Sequence, residues 1–369
     1  MSEIVISGAR VIDPANATDA IGDIHIQSGL VSDKPSKDAP RLDATGLIAV
    51  PGLIDLHTHV YVGGTSLGID PDAYMKSAGV TTSVDAGSAG PGNFAGFRDH
   101  VITQSKARIL AFLHVSHAGI FGFADGIQVG ESENLRLMAP AQAVRIARDH
   151  PEVVVGIKVR VGRHASGDQG TAPLDIAIQV AEETGLPLMV HIDEPPPSYE
   201  EVIERLNRLE GSILTHAFRP FPNAPIKAGR VVAELPRGYL DIGHGKGSFS
   251  FEMARQMLAL GRLPDTISSD VHVLCIDGPA YDLPTTMNKF LALGMELEQI
   301  IRAVTQTPAE AIRRTDIGHL GTGASGDVTL LAMENGAFPL TDTTGETIVA
   351  NRRIAVKGVV RAGRVVVSP

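Results

Sequence analysis

Residues 53–59 read Leu53-Ile54-Asp55-Leu56-His57-Thr58-His59, an apolar run followed directly by two histidines one residue apart. The run predicts a buried β-strand. Because side chains i and i+2 of a strand point to the same side, His57 and His59 can chelate one ion together. Taken alone, such a pair is more often two hydrogen-bonded polar residues at a strand end, so its interpretation depends on the rest of the chain.

Seven further apolar, β-branched runs follow, with helical stretches between several of them, for example at 141–149, 174–184 and 199–209. This alternation indicates βα units around a buried parallel sheet. Eight units over about 270 residues match a (β/α)8 barrel in number and size. An open doubly wound sheet is the alternative, although no GxGxxG turn follows the first strand. The seven runs are 80–84, 109–113, 153–157, 188–190, 212–215, 239–242 and 266–269.

Both ends of the chain differ from this middle. Short apolar runs such as Ile4-Val5-Ile6 and Val365-Val366-Val367 lie between turn residues and predict small strands. We therefore expect a small β-sandwich domain formed by residues 1–51 together with 323–369. The (β/α)8 TIM barrel is expected over residues 52–322.

Composition excludes several classes of protein. The chain has 369 residues with a net charge of −10 and no basic run, which argues against binding to nucleic acid or anionic membranes. The single cysteine, Cys275, excludes an internal disulfide and a Cys-rich zinc site. The sequence contains no secretory signal and no unbroken apolar run of the ~18 residues that span a bilayer. We therefore expect a soluble, cytoplasmic protein.

Polar residues at the ends of the apolar runs carry the predicted chemistry, because the active site of a (β/α)8 barrel lies at the carboxyl ends of its strands. A lone histidine there is more often structural. Lys158 lies inside an apolar run, where an unpaired ammonium is costly, so it needs an anion, a lowered pKa or a chemical modification. Since all the candidates fall at one level of the predicted barrel, we interpret them as metal ligands. They are His57, His59, Lys158, His191, His216 and Asp270.

These motifs resemble those of the amidohydrolase superfamily, the metal-dependent hydrolases that include dihydroorotases, hydantoinases and N-acyl deacetylases. The stretch Ala49–His59 is similar to the family's first barrel strand, and Ile6–Asp13 to its N-terminal strand. The segments 305–309, 321–323 and 326–328 are similar to its return to the small domain. Gly156–Arg160 and Ser268–His272 resemble the deacetylase-like, dihydroorotase-related binuclear enzymes. The resemblance covers nearly the whole chain.

The resemblance implies a metallohydrolase barrel with two divalent metal ions per chain, which we expect to be Zn²⁺. Carried over residue by residue, His57, His59 and Asp270 would hold one ion. His191 and His216 would hold the other, and Lys158 would bridge the two as carbamylated N6-carboxylysine. An ammonium at that position would repel both ions, whereas burial lowers the pKa of a lysine and favours the modification.

The implied reaction is the removal of an acetyl or small acyl group from a small carboxylate-bearing amide or ester by a metal-bridging hydroxide. Asp270 is the expected catalytic residue, which would shuttle the proton from the attacking water to the leaving group. Arg160 could form a forked pair with a substrate carboxylate, although a structural salt bridge is equally plausible. His244 and His272 are further candidate substrate contacts. The expected partner is a small molecule, and a homo-oligomer is left open.

Two alternatives stay open. A cyclic amidase of the dihydroorotase or hydantoinase type would use the same metal centre. However, dihydroorotases place an arginine shortly after the histidine pair to hold a ring carboxylate, whereas Val60-Tyr61-Val62 follows here. A non-catalytic amidohydrolase-like binding module is the other alternative. That class usually loses ligands, and all six are present in this chain.

Overall fold

The computed structural model describes residues 3–34, 38–220, 222–227, 230–231 and 235–369. In chain order, its strands are β1 (Ile4–Asp13), β2 (Thr18–Gln27), β3 (Leu30–Ser32), β4 (Arg41–Asp43), β5 (Ile48–Pro51), β6 (Leu53–Thr58), β7 (Val80–Ala86), β8 (Arg108–His114), β9 (Phe123–Ala124), β10 (Ile127–Gln128), β11 (Val154–Val161), β12 (Leu188–Ile192), β13 (Ile213–Thr215), β14 (Ile226–Lys227), β15 (Arg230–Val231), β16 (Tyr239–Leu240), β17 (Val328–Thr341), β18 (Thr347–Arg361) and β19 (Arg364–Val367).

Several α-helices begin at a capping residue, among them α1, α6, α7 and α8. In α1, the Asp70 side chain accepts hydrogen bonds from the first turn, and Gly79 ends the helix in a left-handed conformation. The helices are α1 (Pro71–Ala78), α2 (Phe94–Phe97), α3 (Pro140–Asp149), α4 (Arg163–Ser166), α5 (Ala172–Thr184), α6 (Tyr199–Leu206), α7 (Phe251–Ala259), α8 (Leu283–Ala292), α9 (Leu297–Val304) and α10 (Gln306–Ala311). The three predicted helices correspond to α3, α5 and α6. Within the described ranges, no helix has the length and apolar character needed to cross a membrane.

The two chain ends form one mostly antiparallel sheet, as predicted. Its strand order is β19-β18-β17-β5-β1-β2-β3, and β4 pairs with β1. Buried side chains of β1, β2, β17 and β18 form its core, including Ile6, Ile24, Val328 and Val360. Residues 1–2 and 35–37 of the predicted terminal domain lie outside the described residues. The domain boundaries and the sandwich form stay predictions.

Seven parallel strands build the second sheet, in the order β16-β13-β12-β11-β8-β7-β6. Strand β11 is buried along its whole length, which is expected of a strand covered on both faces. The eighth predicted run is not a regular strand. Thr266 makes a single parallel bridge to Asp241, and Val271, just after the run, makes one to Thr58. The parallel strands are confirmed, and a complete (β/α)8 barrel stays a prediction.

The run 266–269 contains side chains that hydrogen-bond across the sheet, which explains its irregular backbone. The Ser268 hydroxyl donates to Asp241, and the Ser269 backbone N–H and hydroxyl both donate to Asp55. Asp270 then adopts a left-handed conformation with φ 48°. The backbone N–H of Asp270 donates to the His57 carbonyl over 2.8 Å. Because of this irregular segment, Asp270 lies at the carboxyl end of β6.

Candidate metal centre

His57, His59 and Asp270 form a compact group at the carboxyl end of β6. One potential ligand atom from each lies within 4.8 Å of the other two. The Nε2 atoms of His57 and His59 lie 3.3 and 3.2 Å from Asp270 Oδ1. All three side chains are buried. Two imidazoles and one carboxylate converging in this way are a ligand set that zinc accepts.

Lys158, His191 and His216 lie beside this group. The ring of His216 is 5.1 Å from that of His57 and 4.3 Å from that of His191, measured between centroids. Lys158 and His191 line the same cavity as His57, His59 and Asp270. The structure therefore brings together all six residues that the sequence predicted as ligands, while their roles as ligands stay a prediction.

Three polar atoms among these residues are buried without a hydrogen-bond partner: Lys158 Nζ, His191 Nε2 and His216 Nε2. Buried polar atoms are nearly always satisfied, so this concentration requires an explanation. A divalent ion beside the imidazoles, with an anionic bridge at Lys158, would satisfy all three. The residues present therefore fit a bound metal centre.

Burial sets the protonation of these groups. It lowers the pKa of Lys158 to about 7 against the opposing charge of Asp270. It also lowers the pKa of His57, His191 and His216 well below the usual histidine value, with Lys158 and neighbouring histidines adding to the effect. Neutral imidazoles keep a lone pair for a metal, and a neutral amine is the form that reacts with carbon dioxide.

A cavity opens over these residues. Arg160 and His272 lie on its wall, as their predicted substrate contacts require, together with the apolar side chains of Leu67, Ile120 and Phe123. The guanidinium of Arg160 lies 5.3 Å from the Phe123 ring centroid, a cation–π contact. Besides the candidate ligands, the cavity thus contains one guanidinium, one further imidazole and an apolar wall.

His244 lies elsewhere. Its side chain is completely buried, stacks on Phe249, and contacts Lys289 with 2.6 Å between Nε2 and Nζ. It is absent from the described residues that line the cavity. The geometry favours a packing role for His244, and its substrate contact stays a prediction.

The sequence reasoning did not identify Glu131, which comes from the loop between β10 and α3. Its carboxylate lies 3.3 Å from Arg160 Nη1 and 3.3 Å from His114 Nε2, and the residue is buried. Arg160 lowers the pKa of Glu131 against the effect of burial, which keeps the carboxylate ionised. Loop acids of this kind carry no periodicity signal.

Two glycines in the loop after β16, Gly243 and Gly245, lie against the candidate ligands. A Cβ atom on Gly243 would lie 2.3 Å from Thr215 Oγ1 and 2.8 Å from His216 Nδ1. A Cβ atom on Gly245 would lie 2.2 Å from Asp270 Oδ2. Both glycines have a positive φ. The backbone therefore packs directly against the candidate ligands at positions where only glycine fits.

Comparison with known proteins now supplies the family. The chain is 37% identical over 317 residues to a deacetylase of Agrobacterium fabrum, an alignment that covers 84% of this chain and 76% of that protein. A crystal structure of a dihydroorotase has a TM-score of 0.88 and 31% identity, covering 100% of this chain and 98% of the other. The chain belongs to the amidohydrolase superfamily.

Other comparisons place limits on what this amidohydrolase fold implies. A crystal structure of an adenine deaminase also has a TM-score of 0.88, with 29% identity and coverage of 99% of both chains. No protein-family model matches the chain. Because two solved structures with different names resemble this amidohydrolase equally well, the substrate has to be argued from the site itself.

Proposed function

We propose that this protein is a metal-dependent deacetylase that removes an acetyl or small acyl group from a small carboxylate-bearing amide or ester. The observation that carries the proposal is one cavity lined by Arg160 and by five of the six candidate ligands, with the sixth, His216, in ring contact with His191. The relatives named deacetylase support the reaction class.

The proposed centre holds two divalent ions, which we expect to be zinc. His57, His59 and Asp270 would hold one ion, His191 and His216 the other, and Lys158 would bridge them as N6-carboxylysine. When bound, such a pair supplies an acidified water and a Lewis acid for the scissile carbonyl. The unpartnered nitrogens of Lys158, His191 and His216 support this assignment.

Asp270 would move the proton. Burial raises the pKa of its carboxyl to about 6, with His272 and Lys158 opposing the shift. A carboxylate with this pKa can accept a proton from the attacking water near neutral pH and return it to the leaving nitrogen or oxygen. The His59 and His57 rings on either side of Oδ1 fix the direction in which the carboxylate points.

Arg160 would bind the substrate carboxylate. Its Nε atom has no hydrogen-bond partner, and its contact with Glu131 is 3.3 Å long. The guanidinium therefore keeps donors for a second carboxylate. Leu67, Ile120 and Phe123 would cover the body of the substrate and exclude water from the reacting carbonyl.

A cyclic amidase of the dihydroorotase type is the second candidate, since a solved dihydroorotase shares the whole fold. The residues after His59 argue against it. Tyr61 packs on Phe97 at 4.6 Å between ring centroids, and Val62 is exposed, so this position offers no cation to a ring carboxylate. The negative net charge further supports a small-molecule substrate over nucleic acid, and we propose a cytoplasmic location.

A hydrolysis screen tests the proposal. Zinc-loaded protein is assayed against N-acetyl amino acids of both hands, acetylated hydroxy acids and cyclic amides, and metal content is measured in parallel. We expect turnover of an acylated, carboxylate-bearing compound, and we expect Asp270→Asn to lose most of it while keeping the fold. Asp277→Asn, an exposed carboxylate on the following loop, is the control. Activity confined to cyclic amides, or full activity of Asp270→Asn with metal bound, would contradict the proposal.

A further inference from the structure

The hydrogen bonds of Thr215 determine which nitrogen of His57 carries the proton. Thr215 Oγ1 lies 2.8 Å from His57 Nδ1, and it donates its single hydrogen to Asp241 Oδ2 over 2.7 Å. The hydroxyl can therefore only accept from His57. It follows that Nδ1 of His57 is protonated and that its Nε2 keeps the lone pair facing the candidate metal centre.

Asp241 is a fully buried carboxylate that accepts hydrogen bonds from three hydroxyl groups, one on β13 and two in the run 266–269. Besides Thr215, Thr266 donates to Oδ1 over 2.7 Å and Ser268 donates to Oδ2 over 2.8 Å. The Ser268 hydroxyl accepts from the backbone N–H of Gly243, which fixes its own hydrogen on the carboxylate. Three hydroxyl donors suit an ionised acid, since a carboxylate only accepts.

The Asp241 carboxylate lies on the Nδ1 side of the His57 ring, and the candidate metal centre lies on the Nε2 side. Its Oδ2 atom is 3.8 Å from His57 Nδ1. A buried anion is costly unless charge nearby compensates it. Burial raises the pKa of Asp241, and the three hydroxyl donors together with the charge of Lys158 oppose that shift. Once that lysine is carbamylated, cations held by the histidines would take over this compensation.

Two other histidines of the centre, His59 and His216, show the same orientation by related means. Nδ1 of His59 lies 2.8 Å from the Ser88 hydroxyl, and Ser88 is hydrogen-bonded to the buried carboxylate of Asp85. Nδ1 of His216 lies 2.6 Å from the carbonyl oxygen of Gly243, which can only accept. In each case the Nδ1 atom is engaged by the protein, and Nε2 is left for another partner.

We propose that Thr215 and Asp241 are positioning residues, a hydroxyl–carboxylate relay that fixes His57 as an Nε2 metal ligand. The inference rests on the proposed metal centre and names residues that act behind its ligands. Partners of this kind orient the ring and raise its basicity, and their loss typically weakens metal affinity about 10- to 100-fold.

Zinc affinity, measured by competition with a chelator, tests the relay independently of turnover. Thr215→Val keeps the side-chain shape and removes the hydroxyl, and we expect it to weaken zinc binding about 10- to 100-fold. Thr215→Ser restores the hydroxyl and should recover the wild-type affinity. Thr266→Val is the matched control, because it removes a hydroxyl from the same carboxylate without touching His57. Thr215→Ala replaces the valine variant if that one fails to fold, as judged by thermal unfolding.

The outcomes separate the relay from the metal centre itself. If wild-type protein takes up no zinc, both the proposed function and the relay are overturned. If wild-type protein binds zinc, wild-type affinity in Thr215→Val overturns the relay alone. An equal loss in Thr215→Val and Thr266→Val also overturns it, since the effect would then come from general support of Asp241. Selective loss at Thr215 with rescue by serine supports the relay.

Discussion

Replacing Gly245 with alanine would force apart the loop after β16 and the carboxylate of Asp270. The added Cβ atom would lie 2.2 Å from Asp270 Oδ2, whereas real Cβ atoms essentially never approach within 3.0 Å, so one partner must move by about 0.8 Å. The loop cannot simply retreat, because the Gly245 backbone N–H donates to the Ser269 carbonyl over 2.9 Å. Asp270 is therefore expected to move.

The magnitude has two sources. Gly245 has φ 52°, and a left-handed conformation costs an alanine about 1–2 kcal/mol. Relief of the overlap costs a further amount of about 1–3 kcal/mol, as for overpacked cores. We expect a loss of about 2–5 kcal/mol in the free energy of unfolding. A displacement approaching 1 Å at a catalytic carboxylate can lower kcat by about 100-fold.

The assay compares Gly245→Ala with Gly247→Ala, in urea unfolding and in turnover of the best substrate from the screen. Gly247 is two residues away on the same loop, and an added Cβ atom there meets no atom within 4 Å. Gly247→Ala is expected to behave as wild type in both assays. Wild-type kcat and stability in Gly245→Ala would show that the loop and Asp270 accommodate the added Cβ atom, and equal losses in both variants would show that the close approach to Asp270 is not the cause.

Three further changes probe the bridge, the substrate cation and the junction between the two sheets. Wild type reconstituted with bicarbonate is expected to hold about two zinc ions per chain, and Lys158→Met at most about one. If metal analysis finds two zinc ions in Lys158→Met, the bridging role is contradicted. Arg160→Met should raise KM for carboxylate-bearing substrates by roughly 10- to 100-fold and leave uncharged esters unaffected, so equal losses on both would exclude carboxylate binding. Asp327→Ala leaves two arginines unpaired at the junction of the sheets and should cost about 3–5 kcal/mol in urea unfolding; a loss below about 1 kcal/mol would show that the ion pairs are well solvated.

The candidate ligands could be predicted from the sequence because two local rules place them. Alternation of side chains along a strand puts His57 and His59 on one side of β6. The carboxyl ends of parallel strands lie at one edge, so residues at those ends, such as His191 and His216, lie close together. Lys158 stood out because a lysine inside a buried strand has no ordinary explanation. These rules need no knowledge of side-chain partners, and the structure brings all the predicted ligands together.

The residues behind the ligands could not be predicted in the same way. Asp241 lies in an apolar run just as Lys158 does, but its hydrogen-bond partners come from β13 and the run 266–269, and nothing in the sequence around Asp241 identifies them. Glu131 and Phe123 come from the long connection between β8 and α3, which has no sequence periodicity, so their place at the cavity depends on tertiary packing. The irregular eighth run has a related cause, since Ser268 and Ser269 hydrogen-bond to carboxylates across the sheet.

Two candidate ligands have an unusual, left-handed backbone conformation. His216 and Asp270 have φ of 62° and 48°, in the left-handed region that costs a non-glycine residue about 1–2 kcal/mol. Specific contacts hold both: His216 Nδ1 faces the Gly243 carbonyl, while Asp270 accepts a hydrogen bond from the Cys275 thiol and donates its N–H to His57. Strained backbone conformations persist only where several surrounding contacts hold them, and such positions are concentrated at functional sites.

This strain also explains why the eighth run cannot continue as a strand. An extended backbone through Asp270 would alternate its side chain with those of the neighbouring residues along the sheet. The left-handed turn instead brings Oδ1 to within 3.3 Å of both His57 and His59. Regular pairing is therefore lost at the position where three ligands converge. The departure from a regular barrel and the geometry of the proposed metal centre have the same physical cause.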